Sequence, residues 1–292
     1  MRDNDGLLAL DSKMKRFLFA IVASVLLMLS CTGGKTQRAE EPQLDSIADS
    51  VDTTPIDTLE LLIGETPTPK AMDELFDDFV FNFSANKKLQ MDRIVFPLTV
   101  RKGDKTETIE KKKWEMERFF IRQGYYTLLF DNENQMQLMK DTSLTQAIVE
   151  KIMLKKNLVK DYVFNRIRGA WMLREVREMA ISENMNASFL DFYQRFVSDM
   201  AFQKKSLNSR VIFVGPDPDD DFSVMEGIIT PDTWEAFAPQ LPSKLLYNII
   251  YGQPEPVGNE KIFVMRGVAN GLEMELRFKK VNNRWLLMKM TT

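Results

Sequence analysis

Lys261-Ile-Phe-Val-Met-Arg-Gly-Val268, Leu272-Glu-Met-Glu-Leu-Arg-Phe-Lys-Lys-Val281 and Trp285-Leu-Leu-Met-Lys-Met290 follow one another near the end of the chain. Ala269-Asn270-Gly271 and Asn282-Asn283 separate them. The runs alternate or are rich in β-branched and aromatic residues, and both separators accept the positive φ of tight turns, so the stretch predicts an antiparallel meander. Upstream, Phe189, Phe192, Tyr193, Phe196, Val197 and Met200 recur at helical spacing, with Ser188 placed to cap that helix. A helix whose apolar face covers a meander, with curvature leaving a cone open at one end, is α+β architecture.

The same design occurs earlier in the chain. Adding 117 to Phe79-Val80, Lys87-Lys88 and Arg93-Ile94-Val95-Phe96 gives Phe196-Val197, Lys204-Lys205 and Arg210-Val211-Ile212-Phe213. Trp114-Glu115 matches Trp234-Glu235 at 120, and Tyr126 with Leu128-Leu129-Phe130 matches Tyr247 with Ile249-Ile250-Tyr251 at 121. Leu158, Phe164, Ile167, Trp171 and Leu173 map onto Leu272, Phe278, Val281, Trp285 and Leu287 at 114. Four blocks in one order predict two tandem units, residues 70–180 and 185–292, each a helix followed by a curved antiparallel sheet. In the first unit Met72, Leu75, Phe76, Phe79, Val80 and Phe83 form the helix face, with Asp73 and Glu74 near its start.

Phe278-Lys-Lys-Val-Asn-Asn-Arg-Trp285-Leu-Leu, repeated as Phe164 to Leu173, resembles the closing hairpin of nuclear-transport-factor-2-like and cystatin-like cone domains. From residue 71 onward the chain is also similar to a family of Bacteroidota lipoproteins carrying such units. These are packing motifs, so the resemblance implies a fold and brings no catalytic residue with it.

The N-terminal part reads as an address. Lys13, Lys15 and Arg16 precede the apolar run Phe17 to Leu29, which reaches only ~20 Å as a helix and fits a signal peptide better than a membrane span. Residues 1–30 are assigned to that peptide, with translation expected from Met14 because Asp3, Asp5 and Asp11 do not suit its start. Leu27-Met28-Leu29-Ser30-Cys31 looks like a bacterial lipobox, which implies lipid on Cys31, the only cysteine in the chain. Thr32 after the cysteine implies sorting to the outer membrane; the first acids, Glu40 and Glu41, stand away from Cys31, so the periplasmic face is expected. Residues 31–69 hold no aromatic residue and eight acids, the composition of a flexible acidic tether.

Composition removes several kinds of chemistry. The chain has no histidine and a net charge of -3, so Ser-His-Asp triads, Cys-His dyads, histidine-based zinc sites and nucleic-acid partners are excluded. No cofactor motif is read. Arg93 and Arg210 open the first strand of each unit and are candidates to hold an anionic ligand, or to pair with a nearby carboxylate. Trp114 and Trp234 are either pocket walls or core. Asp217, Asp219 and Asp221 are a calcium candidate, set against a solvated hairpin tip because Pro218 and the spacing depart from known loops.

These observations predict a cell-envelope lipoprotein that binds a small apolar ligand or an envelope protein, with no catalytic constellation evident. The alternatives are an isomerase or hydrolase with an Asp or Glu base in one cone, and a structural subunit of an envelope assembly. Asp161-Tyr162 has the local look of such a base, yet neighbours on a strand face opposite ways.

Overall fold

A computed structural model describes residues 70–217, 219–254 and 258–292; the signal peptide, Cys31, the tether and the side chain of Asp221 lie outside the described residues. The first repeat runs α1 (Phe76–Ala85), α2 (Lys87–Asp92), β1 (Ile94–Lys102), β2 (Lys105–Ile109), β3 (Tyr125–Phe130), α3 (Glu133–Gln137), β4 (Gln146–Met153), β5 (Leu158–Ile167) and β6 (Ala170–Ala180). The second runs α4 (Ala187–Phe196), α5 (Met200–Lys205), β7 (Leu207–Asp217), β8 (Asp220–Ile229), β9 (Leu245–Tyr251), β10 (Glu260–Gly267), β11 (Glu273–Val281) and β12 (Arg284–Thr291).

The strands make two curved six-stranded sheets with matching order, β2-β1-β6-β5-β4-β9 and β8-β7-β12-β11-β10-β3. The last strand of each is exchanged: β3 of the first repeat completes the second sheet, and β9 of the second repeat completes the first. Where β3 and β9 meet, Thr127 Oγ1 donates to Tyr247 O at 2.5 Å and Leu129 N donates to Asn248 Oδ1 at 2.8 Å. The expectation of purely antiparallel sheets needs correction, because β1 pairs parallel to β6 and β7 parallel to β12. These partners are joined by long connections, which leave strand direction free, whereas the tight turns of the meander impose antiparallel pairing.

The helical segment of each repeat is two helices, split where a side chain caps the second. Asn86 accepts from Leu89 N at 3.0 Å, and Asp199 accepts from Phe202 N at 3.0 Å. Met200 therefore opens α5 and is 38% exposed instead of extending the face of α4. Ser188 does not cap α4 either; its hydroxyl accepts from Lys280 Nζ and Trp285 Nε1.

The caps also correct the register of the repeat. Asn86 and Asp199 are 113 apart, as are Phe76, Phe79 and Phe83 on α1 from Phe189, Phe192 and Phe196 on α4. The offset of 117 aligned these helices about one turn out of step, an error invisible to a 3.6-residue period. In the corrected register the ring of Phe164 receives Phe76, Phe79 and Phe83 at centroid distances of 5.4, 5.7 and 5.2 Å. Phe278 receives Phe189, Phe192 and Phe196 at 5.3, 5.5 and 5.4 Å. Trp171 and Trp285 stand edge-on to Phe76 and Phe189. Aromatic pairs of this geometry are worth about 0.5–1.5 kcal/mol each beyond their buried area, so each helix is fastened to its sheet chiefly at one ring.

Candidate functional site

The corrected register separates Arg93 from Arg210. Leu173 N donates to Arg93 O and Leu287 N donates to Ser206 O, so Ser206 is the counterpart of Arg93. Arg93 leaves α2 and forms a two-pronged ion pair with Asp73, both contacts at 2.8 Å. Asp73 Oδ1 also accepts from Trp171 N at 2.9 Å, which ties the start of the described chain to the β5–β6 turn. Burial alone would raise the Asp73 pKa, but the hydrogen bond from Arg93, the Trp171 amide and the charges of Arg93 and Arg166 outweigh it and hold it low. Arg93 is thus engaged as a scaffold.

The tryptophans are scaffold too. Trp234 is fully buried and donates to Gln203 Oε1 at 2.7 Å; half-buried Trp114 donates to Gln90 Oε1 at 3.1 Å. Gln90 and Gln203 are repeat partners, and the 117 alignment hid this shared glutamine. Gln90 further donates to Phe83 O and Glu117 O, locking α2 against the segment that carries Trp114.

Within the first cone, Glu117 accepts from Lys151 Nζ at 2.9 Å on both carboxylate oxygens and from Tyr162 OH at 2.8 Å. Burial first and the Glu117 charge second push the Tyr162 pKa up. This Glu-Lys-Tyr trio was not legible in the sequence, because its members are 34 and 45 residues from Glu117. Both carboxylate oxygens are occupied, so the trio offers no free base. Phe119 packs edge-on against Tyr162 and fills the space beside it.

A buried polar chain crosses the seam between the exchanged strands. Register places Glu150 directly opposite Asn248 on one side and Asp161 on the other. Its carboxylate accepts from Asn184 Nδ2 and Asn248 Nδ2, both at 2.6 Å. Asn184 accepts from Asn186 N, and Asn186 Oδ1 accepts from Lys261 Nζ at 2.5 Å. Lys261 is 1% exposed and also donates to Asp131 Oδ1 at 2.7 Å. Burial pushes the Glu150 carboxyl up and the Lys261 ammonium down from their usual values. Asp161 is pushed up to about 8, by burial and then by the Glu150 charge, and its buried Oδ1 has no hydrogen-bond partner. None of the three cavities described below is lined by Asp161.

Open volume lies elsewhere. A groove of about 400 Å³ runs over the outer face of the second sheet, lined by Arg210 and Ile212 of β7, Ile262 of β10, Arg277 of β11, and Met288 and Lys289 of β12. The start of α3 forms one wall, where Glu133 pairs with Arg277 at 2.5 Å. Arg210 and Lys289 form no ion pair among the described residues. A second cavity of about 550 Å³ opens between α4, α5 and the β11–β12 turn. A third, beside the seam at Asn186 and Asn248, has room for about 30 Å³.

The acidic tip is a turn. Asp217 Oδ1 accepts from Asp219 N at 2.9 Å, and among the described residues no group of three or more Asp, Glu, His or Cys side chains is arranged to hold a metal ion. Among them, too, no helix is long and apolar enough to cross a membrane.

Residues 55–292 match the family described as Domain of unknown function (DUF4348). The chain belongs to this family. It is similar to a crystallised NTF2-like protein from Bacteroides fragilis, at 42% identity and a TM-score of 0.69, over 77% of this chain and 98% of that one. The α+β fold described above is accordingly NTF2-like. An NTF2-like protein of unknown function from Shewanella baltica aligns at 11% identity and a TM-score of 0.22, over 37% of this chain and 88% of that one. No curated protein matches.

Proposed function

We propose that this DUF4348 protein is a non-catalytic binding module of the cell envelope, held by lipid on Cys31 at the periplasmic face of the outer membrane. Its ligand is a small anionic amphiphile taken up by the groove on the outer face of the second sheet. The observation that carries this reading is the coincidence, in one groove of about 400 Å³, of apolar Ile212, Ile262 and Met288 with two cations, Arg210 and Lys289, that form no ion pair among the described residues. An acyl chain suits the apolar strip, and a carboxylate or phosphate suits the arginine fork. The cone interiors are weaker candidates, since the aromatic rings that collect on Phe164 and Phe278 occupy them.

Titration with laurate, followed by native mass spectrometry, tests the groove. Saturable binding is expected, weakened about tenfold or more by Arg210→Glu combined with Lys289→Gln, given the strength of charge-assisted hydrogen bonds. Absence of binding, or equal binding by the variant, overturns the reading. Labelled palmitate tests the anchor separately: it enters the wild-type protein and not Cys31→Ala.

A further inference from the structure

We propose that the cavity between α4, α5 and the β11–β12 turn is a second binding site, for a ligand bearing a compact multivalent oxyanion of the phosphate type. It shares no lining residue with the outer-face groove. Arg195, Lys205, Lys280 and Arg284 line it, against two carboxylates, Asp191 and Asp199. Asp199 is already committed to capping α5.

None of the four cations forms an ion pair among the described residues. Other contacts hold three of them in place: Arg195 lies over the Phe202 ring at 4.2 Å, Lys280 over Trp285 at 5.7 Å, and Arg284 Nη2 donates to the backbone carbonyl of Lys205 at 3.2 Å. Ring contacts orient a guanidinium while leaving most of its N–H donors unspent. Ser188 Oγ accepts from both Lys280 Nζ at 3.0 Å and Trp285 Nε1 at 3.3 Å, so its own hydroxyl proton is left to donate. Four cations and a hydroxyl around one opening match an ion with several oxygens and more than one charge; a single carboxylate would engage only part of the set.

The first repeat supplies the internal comparison. The counterparts of Arg195, Lys205 and Arg284 are Asn82, Asp92 and Ala170, so each difference makes the second repeat more positive. Lys280 corresponds to Arg166, which the first repeat spends on the carbonyls of Asp73, Glu74 and Thr142. Asp73 itself, the acid that compensates Arg93, is replaced by Asn186. Packing was retained at this place while charge was redistributed: cations were gained at Arg195, Lys205 and Arg284, lost at Ala201 and Ser206, the counterparts of Lys88 and Arg93, and an acid was gained at Asp199, a rearrangement that scaffolding alone does not require.

The test uses the full-length protein in detergent, titrated calorimetrically with pyrophosphate at low and high salt. Parallel co-sedimentation compares vesicles of phosphatidylcholine with and without phosphatidic acid. The key variant installs the first repeat's residues, Arg195→Asn, Lys205→Asp and Arg284→Ala, all at exposed positions. Saturable pyrophosphate binding that weakens with salt, and falls about tenfold or more in the triple variant, supports the site as one for a free phosphate compound. Binding confined to phosphatidic acid vesicles and lost in the variant supports it with a lipid headgroup as the source. Absence of both, or equal binding by the variant, overturns it. Laurate binding measured on the same variant reports on the outer groove, so the two proposals fail independently.

Discussion

Phe164 in the first repeat and Phe278 in the second each collect three phenylalanines from the helix above, yet charge is arranged around these matching rings in opposite ways. The first repeat is polar inside its cone, where Glu117, Lys151 and Tyr162 meet, and neutralised at its helix end, where Asp73 holds Arg93. The second has Met265 and Leu276 at the positions of Lys151 and Tyr162, and gathers at its helix end four cations that form no ion pair among the described residues, beside Asp191 and Asp199. The two halves thus share the residues that cannot change without a cavity and differ where solvent or a ligand satisfies a polar group. The aromatic skeleton is the shared frame, and the placement of charge is what each copy does with it.

The largest test of that shared frame truncates its central ring. Phe164→Ala and Phe278→Ala should each cost about 3–5 kcal/mol of stability in urea denaturation, since each removes a buried ring contacted on three sides. Costs that differ by more than about half that range would show that the two skeletons are not energetically equivalent.

Two carboxylates then sharpen the contrast, with opposite dependence on pH. The folded state lifts Asp161 from 3.8 to about 8, so it holds a proton that the unfolded chain has already lost, and stability declines as pH rises through that window. Asp161→Asn should remove the decline, giving a gain on the order of 2–4 kcal/mol at pH 8 and little change at pH 4. Asp73 is held below its ordinary value, so its contribution is present at neutral pH and fades as pH falls through its folded pKa. Asp73→Asn should cost about 1 kcal/mol at pH 7, the scale of a part-buried ion pair, and nothing in acid. Thermal melts of both variants between pH 3 and 8 on the order of one unit apart read the two slopes together. Slopes of the same sign would break the distinction between a seam that resists charge and a helix end that uses it.

Much of the frame was legible in the sequence. The meander runs and the Asn282-Asn283 turn coincide with β10, β11 and β12, and both asparagines adopt positive φ. The offset of 114 over Phe164, Trp171 and Leu173 holds because tight turns leave no room for slippage. The offset of 117 over the helices failed because helical faces look alike after one turn, and it wrongly made Arg210 the twin of Arg93. With the true partner, Ser206, the difference between the repeats at that place becomes visible in the sequence itself.

The sequence by itself determined the α+β class and the ring-bearing faces, since periodicity and turn chemistry are local and each residue reports its own secondary structure. The tertiary structure alone decided that β3 and β9 trade sheets. Backbone hydrogen bonds between strands are blind to which repeat supplies them, and that trade brings Asn248 onto Glu150 and Asp131 onto Lys261, joining distant residues in one dry interface.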